Sequence, residues 1–204
     1  MTGITVDKCL IQPAGPIPVG GPVTFKRTYF AGDLSVVSGG SLKNCFISRS
    51  LALASGTTAT NCIFQGNVVS APGSSISSSI FVASDPAHFA ANVKGSITHS
   101  LAVGGLGVGG TSTYLPAGAG NISMIAFTVQ AFVQGQTNDK AYVLAAGSPA
   151  IGSGLNGVDM GIFGGVQPYV ISGVPSLPRI TRFLVPSTAT STSGLRIEMD
   201  AQSF

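Results

Sequence analysis

Two short stretches of the chain decide the fold: residues 42–47 read LKNCFI and residues 59–64 read ATNCIF. The pattern recurs at the same spacing on both sides, where residues 76–81 read ISSSIF and residues 25–30 read FKRTYF. Each unit contains an apolar residue, two polar residues, a small residue and two further apolar residues. Looser copies flank this series at somewhat longer spacings, beginning at Val6 and Ile97.

The length of this repeat restricts the fold. A βαβ unit needs a crossover of a dozen or more residues besides its strands, and a β-propeller blade needs about 40 residues. The apolar positions also lack the 3.6-residue period of a helix. The pattern therefore predicts an all-β fold, a parallel β-solenoid in which coils of about 17 residues stack about 4.8 Å apart. Glycines in one column of the repeat predict a sharp corner in each coil: Gly20, Gly39, Gly56 and Gly73.

Strand alternation inside each unit predicts two inward ladders, in which like residues lie over like residues. The first is built from small side chains: Cys9, Thr28, Cys45, Cys62, Ser79 and Ser100. The second is apolar: Ile11, Phe30, Ile47, Phe64 and Phe81. We expect three reduced, buried cysteines, because the parallel Cβ vectors of neighbouring ladder positions do not give good disulfide geometry.

A third ladder points outward by the same alternation and is nevertheless apolar: Leu10, Tyr29, Phe46, Ile63, Ile80 and Leu101. Three interpretations stay open. The chain's own tail covers these side chains, or they form an interaction surface for another molecule, or a bulge turns them inward. As an interaction surface, the six residues are the candidate functional site.

Composition excludes several classes of protein. Only 17 of 204 residues are charged, whereas serine and threonine together contribute 41, so neither a disordered chain nor a coiled coil is expected. The ten Lys and Arg are scattered along the sequence, which argues against a nucleic-acid partner. No apolar run reaches the length of a membrane-spanning helix.

The beginning of the sequence carries no visible secretory signal. The repeat pattern starts by Ile4 without room for a cap. We therefore expect that a leader or a larger N-terminal part is missing, or that the first coil is covered by something else.

Candidate catalytic and ligand-binding residues are sparse, so we expect no enzymatic activity, cofactor or metal. None of the seven acids recurs at the coil spacing, which leaves no paired carboxylates for glycoside hydrolysis. We expect a turn hydrogen bond from Asp159 and structural roles for His88 and His99. A glycine-rich stretch at residues 104–110 lacks the Gly-Lys-Ser/Thr ending of a phosphate-binding loop and is interpreted as a corner between coils.

Residues 139–154, DKAYVLAAGSPAIGSG, and residues 159–165, DMGIFGG, followed by Pro168 and Tyr169, resemble the closing segment of bacterial right-handed parallel β-helix proteins. Residues 173–204 are similar to the last β-stretch of such proteins from Bacteroidetes-like bacteria. The resemblance implies a single-stranded right-handed parallel β-helix. It also implies an extracellular or cell-surface location and possible contact with a glycan.

These observations predict a parallel β-helix over residues 1–172 and a β-strand tail over residues 173–204, which packs on the helix or on a neighbouring subunit. Strands are expected at residues 180–185 and 195–199 of the tail. We expect a structural rod or filament subunit that forms a homo-oligomer through the solenoid ends or the tail. The alternatives are a carbohydrate-binding or adhesin module and a fragment of a protein related to polysaccharide lyases.

Overall fold

The computed structural model describes residues 3–12, 17–19, 22–82, 92–103, 115–116, 119–123, 131–170, 179–184 and 198–202. Coils of about 17 residues stack through parallel sheets into a β-solenoid of about five turns. The predicted fold class is therefore confirmed. Within the described residues, no helix has the length and apolar character needed to cross a membrane.

Each coil contributes up to three short strands, one to each of three parallel sheets. In chain order the strands are β1 (Ile4–Asp7), β2 (Leu10–Ile11), β3 (Ile17–Val19), β4 (Val23–Lys26), β5 (Tyr29–Phe30), β6 (Leu34–Val36), β7 (Ser41–Lys43), β8 (Phe46–Ile47), β9 (Leu51–Leu53), β10 (Thr58–Thr60), β11 (Ile63–Phe64), β12 (Val68–Ser70), β13 (Ser75–Ser77), β14 (Ile80–Val82), β15 (Ser96–Thr98), β16 (Leu101–Val103) and β17 (Ile122–Ser123).

The first sheet has six strands in the order β1-β4-β7-β10-β13-β15, and the second has seven, β17-β16-β14-β11-β8-β5-β2. The third sheet has four strands, β12-β9-β6-β3. The register repeats the sequence alignment: Ala59 pairs with Leu42 and Ile76, and Ile63 pairs with Phe46 and Ile80. Backbone groups are satisfied between coils, as in the 3.0 Å bond from Ile63 N–H to Cys45 C=O.

Both predicted inward ladders lie in the solenoid interior. From the second coil upward their members are buried, and Phe30, Ile47 and Phe64 are completely enclosed. Aromatic side chains stack along the ladder, with 5.1 Å between the ring centroids of Phe64 and Phe81. The prediction for the cysteines is wrong at one position: Cys45 and Cys62 are buried, but Cys9 is exposed, because it lies in the first coil with no coil beneath it.

The corner between the first and second sheets is made by one left-handed residue in every coil. We call this set the left-handed column: Lys8, Arg27, Asn44, Asn61, Ser78 and His99. The small residue that follows points inward and donates a hydrogen bond to the carbonyl two residues earlier, as Ser79 does to Ser77 at 2.8 Å and Thr28 to Lys26 at 2.8 Å. This bond explains why the inner column is built from Cys, Ser and Thr.

A second corner closes each coil before the first sheet begins again. Gly39, Gly56 and Gly73 occupy equivalent positions there with φ of 81°, 76° and 83°, a region that residues with a Cβ rarely adopt. This confirms the corner that the sequence predicts at these three glycines, whereas Gly20 lies outside the described residues.

Residues 131–169, which include the residues that resemble a closing segment, do not add a further coil to the described stack. They run along the outside of the second sheet as a lateral segment of turns, with 3₁₀ helices at Asn138–Tyr142 and Leu155–Gly157. An antiparallel bridge joins Phe132 and Leu144. The segment belongs to the same compact unit as the coils, Met1–Tyr169.

The C-terminal unit, Val170–Phe204, contains β18 (Arg179–Leu184) and β19 (Glu198–Gln202). These two strands pair with each other in antiparallel fashion. The predicted strand at residues 180–185 is confirmed within one residue. The second strand lies about three residues later than expected, since it begins at Glu198.

Candidate interaction surface

The outer apolar ladder packs in a cluster separate from the main core of the coils, which argues against the interpretation that a bulge turns it inward. Phe46, Ile63, Ile80 and Leu101 are each exposed by 1% or less, although they lie outside the main core. They form a second cluster with residues of the lateral segment: Ala131, Phe132, Ala150, Met160, Ile162 and Tyr169. The chain's own lateral segment therefore covers this part of the ladder.

The cover ends before the first coil. Tyr29 is half-buried and stacks on Phe46 with 4.7 Å between ring centroids, but Leu10 is 62% exposed. Contact with another molecule therefore stays a prediction only for Leu10 and Tyr29. At the four positions above them, the lateral segment already occupies the surface.

Aromatic side chains of the lateral segment pack against the ladder at Phe46, the lowest of its covered positions. Tyr142 lies against Phe46 at a centroid distance of 4.6 Å and packs edge-on against Phe132 at 5.4 Å. Burial raises the pKa of the Tyr142 phenol above its usual 10.0, and the neighbouring Tyr29 adds a smaller effect in the same direction. The phenol is thus neutral throughout the physiological range.

The left-handed column fixes the lateral segment to the coils by hydrogen bonds. The side-chain amide of Asn44 donates to the carbonyls of Ile162 and Gly164, at 2.9 and 2.7 Å. One coil higher, the Asn61 amide donates to the carbonyl of Asp159 at 2.9 Å. These bonds satisfy carbonyls in a segment that is built from turns instead of paired strands.

Ser78 continues this set of bonds in the next coil. Its hydroxyl accepts a hydrogen bond from the backbone N–H of Leu155 at 2.9 Å, and its carbonyl accepts one from the N–H of Gly161 at 2.8 Å. Three successive coils are therefore joined to the lateral segment through equivalent positions of the left-handed column.

Sequence reasoning assigned no role to Asn44, Asn61 and Ser78. A signal was present for the two asparagines, since Asn tolerates left-handed backbone angles better than other residues with a Cβ. The repeated Asn-Cys pair at residues 44–45 and 61–62 therefore indicated the corner. Their partners could not be deduced, because these lie in a distant part of the chain.

Asp159 makes the predicted turn hydrogen bond, accepting from the backbone N–H of Gly152 at 2.8 Å. His99 takes the same corner position as Asn44 and Asn61, with φ of 47°. Its buried Nδ1 makes no hydrogen bond with described residues. His88 and residues 104–110 lie outside the described residues.

Thiol chemistry is suppressed in the interior. Burial raises the pKa of Cys62 well above its usual value, and the neighbouring Cys45 contributes to the same shift. Among the residues that the structure describes, no three His, Cys, Asp or Glu are grouped so that they could hold a metal ion. Comparison with protein-family models, with curated proteins and with solved structures gave no match for this chain.

Proposed function

We propose that the chain is a non-enzymatic structural element, a rigid β-solenoid rod that associates with another β-chain through its first coil. The observation that carries the proposal is the lower edge of the stack. Among the strands that the structure describes, β1, β2 and β3 each pair on one side only, and Ile4 and Leu10 are 65% and 62% exposed. Unpaired strand edges of this kind are templates for pairing with another chain.

The last described coil differs from the first, which supports an association at the lower edge. Asn121 takes the next position of the inner column, where its Oδ1 accepts from Ser100 N–H at 3.1 Å and its amide donates to Ile97 C=O at 2.8 Å. Leu115 is buried in the core cluster beneath. The Asn121 amide therefore occupies the Ile97 carbonyl, a group that a further strand added to β15 would use.

Two assemblies are compatible with an association through one edge. Contact between two first coils gives a symmetric dimer, whereas a second contact through the tail hairpin β18–β19 gives an open filament. The proposed location, secreted or on the cell surface, is supported by the resemblance of residues 139–169. Fractionation of producing cells with an antibody to the chain tests this location.

Light scattering over a range of concentrations, with electron microscopy of the same samples, tests the association. We expect dimers or rods for the unaltered chain and monomers for the double variant Ile4→Lys/Leu10→Lys, since edge lysines block strand pairing. Val69→Lys/Val166→Lys is the matched control, because both valines are exposed and lie outside the first coil. Monomers at every concentration for the unaltered chain would contradict the proposal.

We propose a carbohydrate-binding module as a second function, supported by the outer face of the first sheet. Two outward rows of this sheet carry hydroxyl side chains in successive coils, as in the pairs Thr58 with Ser75 and Thr60 with Ser77. Thr60 and Ser77 lie 3.3 Å apart, and Ser41 donates to Thr24 at 2.9 Å. Each hydroxyl has further hydrogen-bonding capacity for sugar hydroxyls.

A further inference from the structure

Four cations that are distant in sequence meet at one corner of the solenoid. We call Lys8, Lys26, Arg27 and Lys43 the basic corner; they occupy the last outward row of the first sheet and the adjacent left-handed column in the first three coils. The interpretation of the ten Lys and Arg as scattered therefore holds along the sequence but not in space. Asp7 lies at the same corner. The other six cations and the other six acids of the chain balance in number, so the excess of cations at this corner equals the net charge of +3.

Among the described residues, one acid, Asp7, lies at this corner, and its carboxylate is already hydrogen-bonded. The Arg27 guanidinium forms two hydrogen bonds with the Asp7 carboxylate, one of them 2.8 Å long from Nε to Oδ1. These bonds hold the pKa of Asp7 below its usual 3.8, with smaller contributions from the charges of Lys8 and Lys26. The Asp7 carboxylate is therefore engaged by Arg27.

The two lysines of the outward row are stacked in register. Lys26 pairs with Lys43 across adjacent strands, about 4.8 Å apart along the stack. Like charges directly opposite each other in a sheet are destabilising. The equivalent row positions in the next coils are the neutral Thr60, Ser77 and Thr98, so the fold does not require lysine here.

We propose that the basic corner binds an acidic polysaccharide, whose carboxylates or sulfates neutralise the stacked lysines. This inference rests on the second proposed function and names its ligand class. Charge complementarity selects an anionic partner, and the hydroxyl rows that continue from Lys43 to Thr60 and Ser77 suit sugar hydroxyls. A single-stranded nucleic acid fits less well, because such partners stack their bases on aromatic side chains and the outward positions of β1, β4, β7, β10, β13 and β15 carry none.

Affinity electrophoresis in gels that contain polygalacturonate tests the inference, with dextran gels as the neutral comparison. We expect polygalacturonate to retard the unaltered chain and added salt to weaken this binding. Lys26→Gln/Lys43→Gln is expected to weaken it about ten-fold, corresponding to a modest contribution from each charge. The matched control is Arg49→Gln/Lys140→Gln, which removes two cations that are exposed elsewhere and should leave the affinity unchanged.

Every other result overturns the inference, and each does so in a recognisable way. Equal losses in the two double variants would mean that net charge alone is responsible. If dextran retards the chain and Lys26→Gln/Lys43→Gln does not weaken this binding, the carbohydrate-binding function is supported and the acidic ligand class is contradicted. If the chain binds neither polymer, both the acidic ligand and the carbohydrate-binding function are contradicted. Preferential binding to oligothymidylate or to phosphatidylserine vesicles would assign the basic corner to a different partner.

Discussion

Single residues determine where the chain turns from the first sheet into the second. The φ angles of the left-handed column lie between 47° and 55°, although its six positions carry five different residue types, with asparagine alone occurring twice. The inner hydroxyls and thiols were predictable from the repeat, because an inward position next to a sharp corner admits only small side chains. The hydrogen bonds of Asn44 and Asn61 were not, because they depend on where a distant segment packs.

Replacing Asn61 separates the two roles of a corner residue. Asn61→Ala removes the amide that bonds the Asp159 carbonyl, which costs about 1–3 kcal/mol when that group is buried. It also leaves a Cβ in left-handed geometry without the polar side chain that lets asparagine tolerate these angles, at a further cost of up to about 1–2 kcal/mol. Asn61→Gly removes the same bond without the second cost. Urea unfolding should show a larger loss for alanine than for glycine; an equal or smaller loss would show that the backbone angle carries no strain.

We expect the cysteine of the first coil to react with a thiol reagent much faster than the two cysteines of the coils above it. Cys9 is exposed, whereas Cys45 and Cys62 are buried and the pKa of Cys62 is raised. Titration of the folded chain with a coloured disulfide reagent should label one thiol rapidly, and denaturation should release two more. Cys9→Ser should abolish the rapid phase; a rapid phase that survives this substitution would contradict the burial of the interior pair.

At the scale of elements, the lateral segment covers the apolar ladder on the outside of the second sheet. The sequence predicted an outward apolar ladder and left three interpretations open, because alternation gives the direction of a side chain but not what covers it. The residues that resemble a closing segment provide the cover, packed on the side of the coils instead of on top. Gly161 shows how close the contact is, since a Cβ there would lie 2.8 Å from Cδ1 of Ile80.

Truncating a covered ladder residue should cost far more than truncating an exposed one. Ile80 is fully buried under the lateral segment, whereas Val69 is 43% exposed on the third sheet. Ile80→Ala should lower the free energy of unfolding by about 2–5 kcal/mol, and Val69→Ala should change it by no more than about 0.5 kcal/mol. Similar urea midpoints for the two variants would mean that the lateral segment does not cover Ile80.

The covered tyrosine should make stability sensitive to alkaline pH. The folded-state pKa of Tyr142 is raised above 10.0 by burial, so its contribution is fully present below that pH and is lost as the pH rises through the folded-state value. Tyr142→Phe has no phenol to ionise and should retain more of its stability at high pH. Parallel stability profiles for the two proteins between neutral and alkaline pH would contradict this assignment.

For the whole molecule, the repeat predicted the architecture because a solenoid is built from contacts between neighbouring coils, and those contacts recur in the sequence. Ile63 over Phe46 and Phe64 over Ile47 are such contacts. The lateral segment depends on contacts that occur once, so no periodicity of the sequence predicts it. The stacked lysines of the basic corner do follow from the register, since the alignment of residues 25–30 with residues 42–47 places Lys26 next to Lys43.

The register of neighbouring coils can be measured directly by electron paramagnetic resonance with nitroxide labels at Thr58→Cys and Ser75→Cys, in a Cys9→Ser background. These two positions are paired in adjacent strands, about 4.8 Å apart along the stack, so strong dipolar broadening is expected. Labels at Thr58→Cys and Val69→Cys, on different sheets, should show much less. Narrow spectra for the first pair, equal to those of the second, would contradict the stacking of successive coils in register.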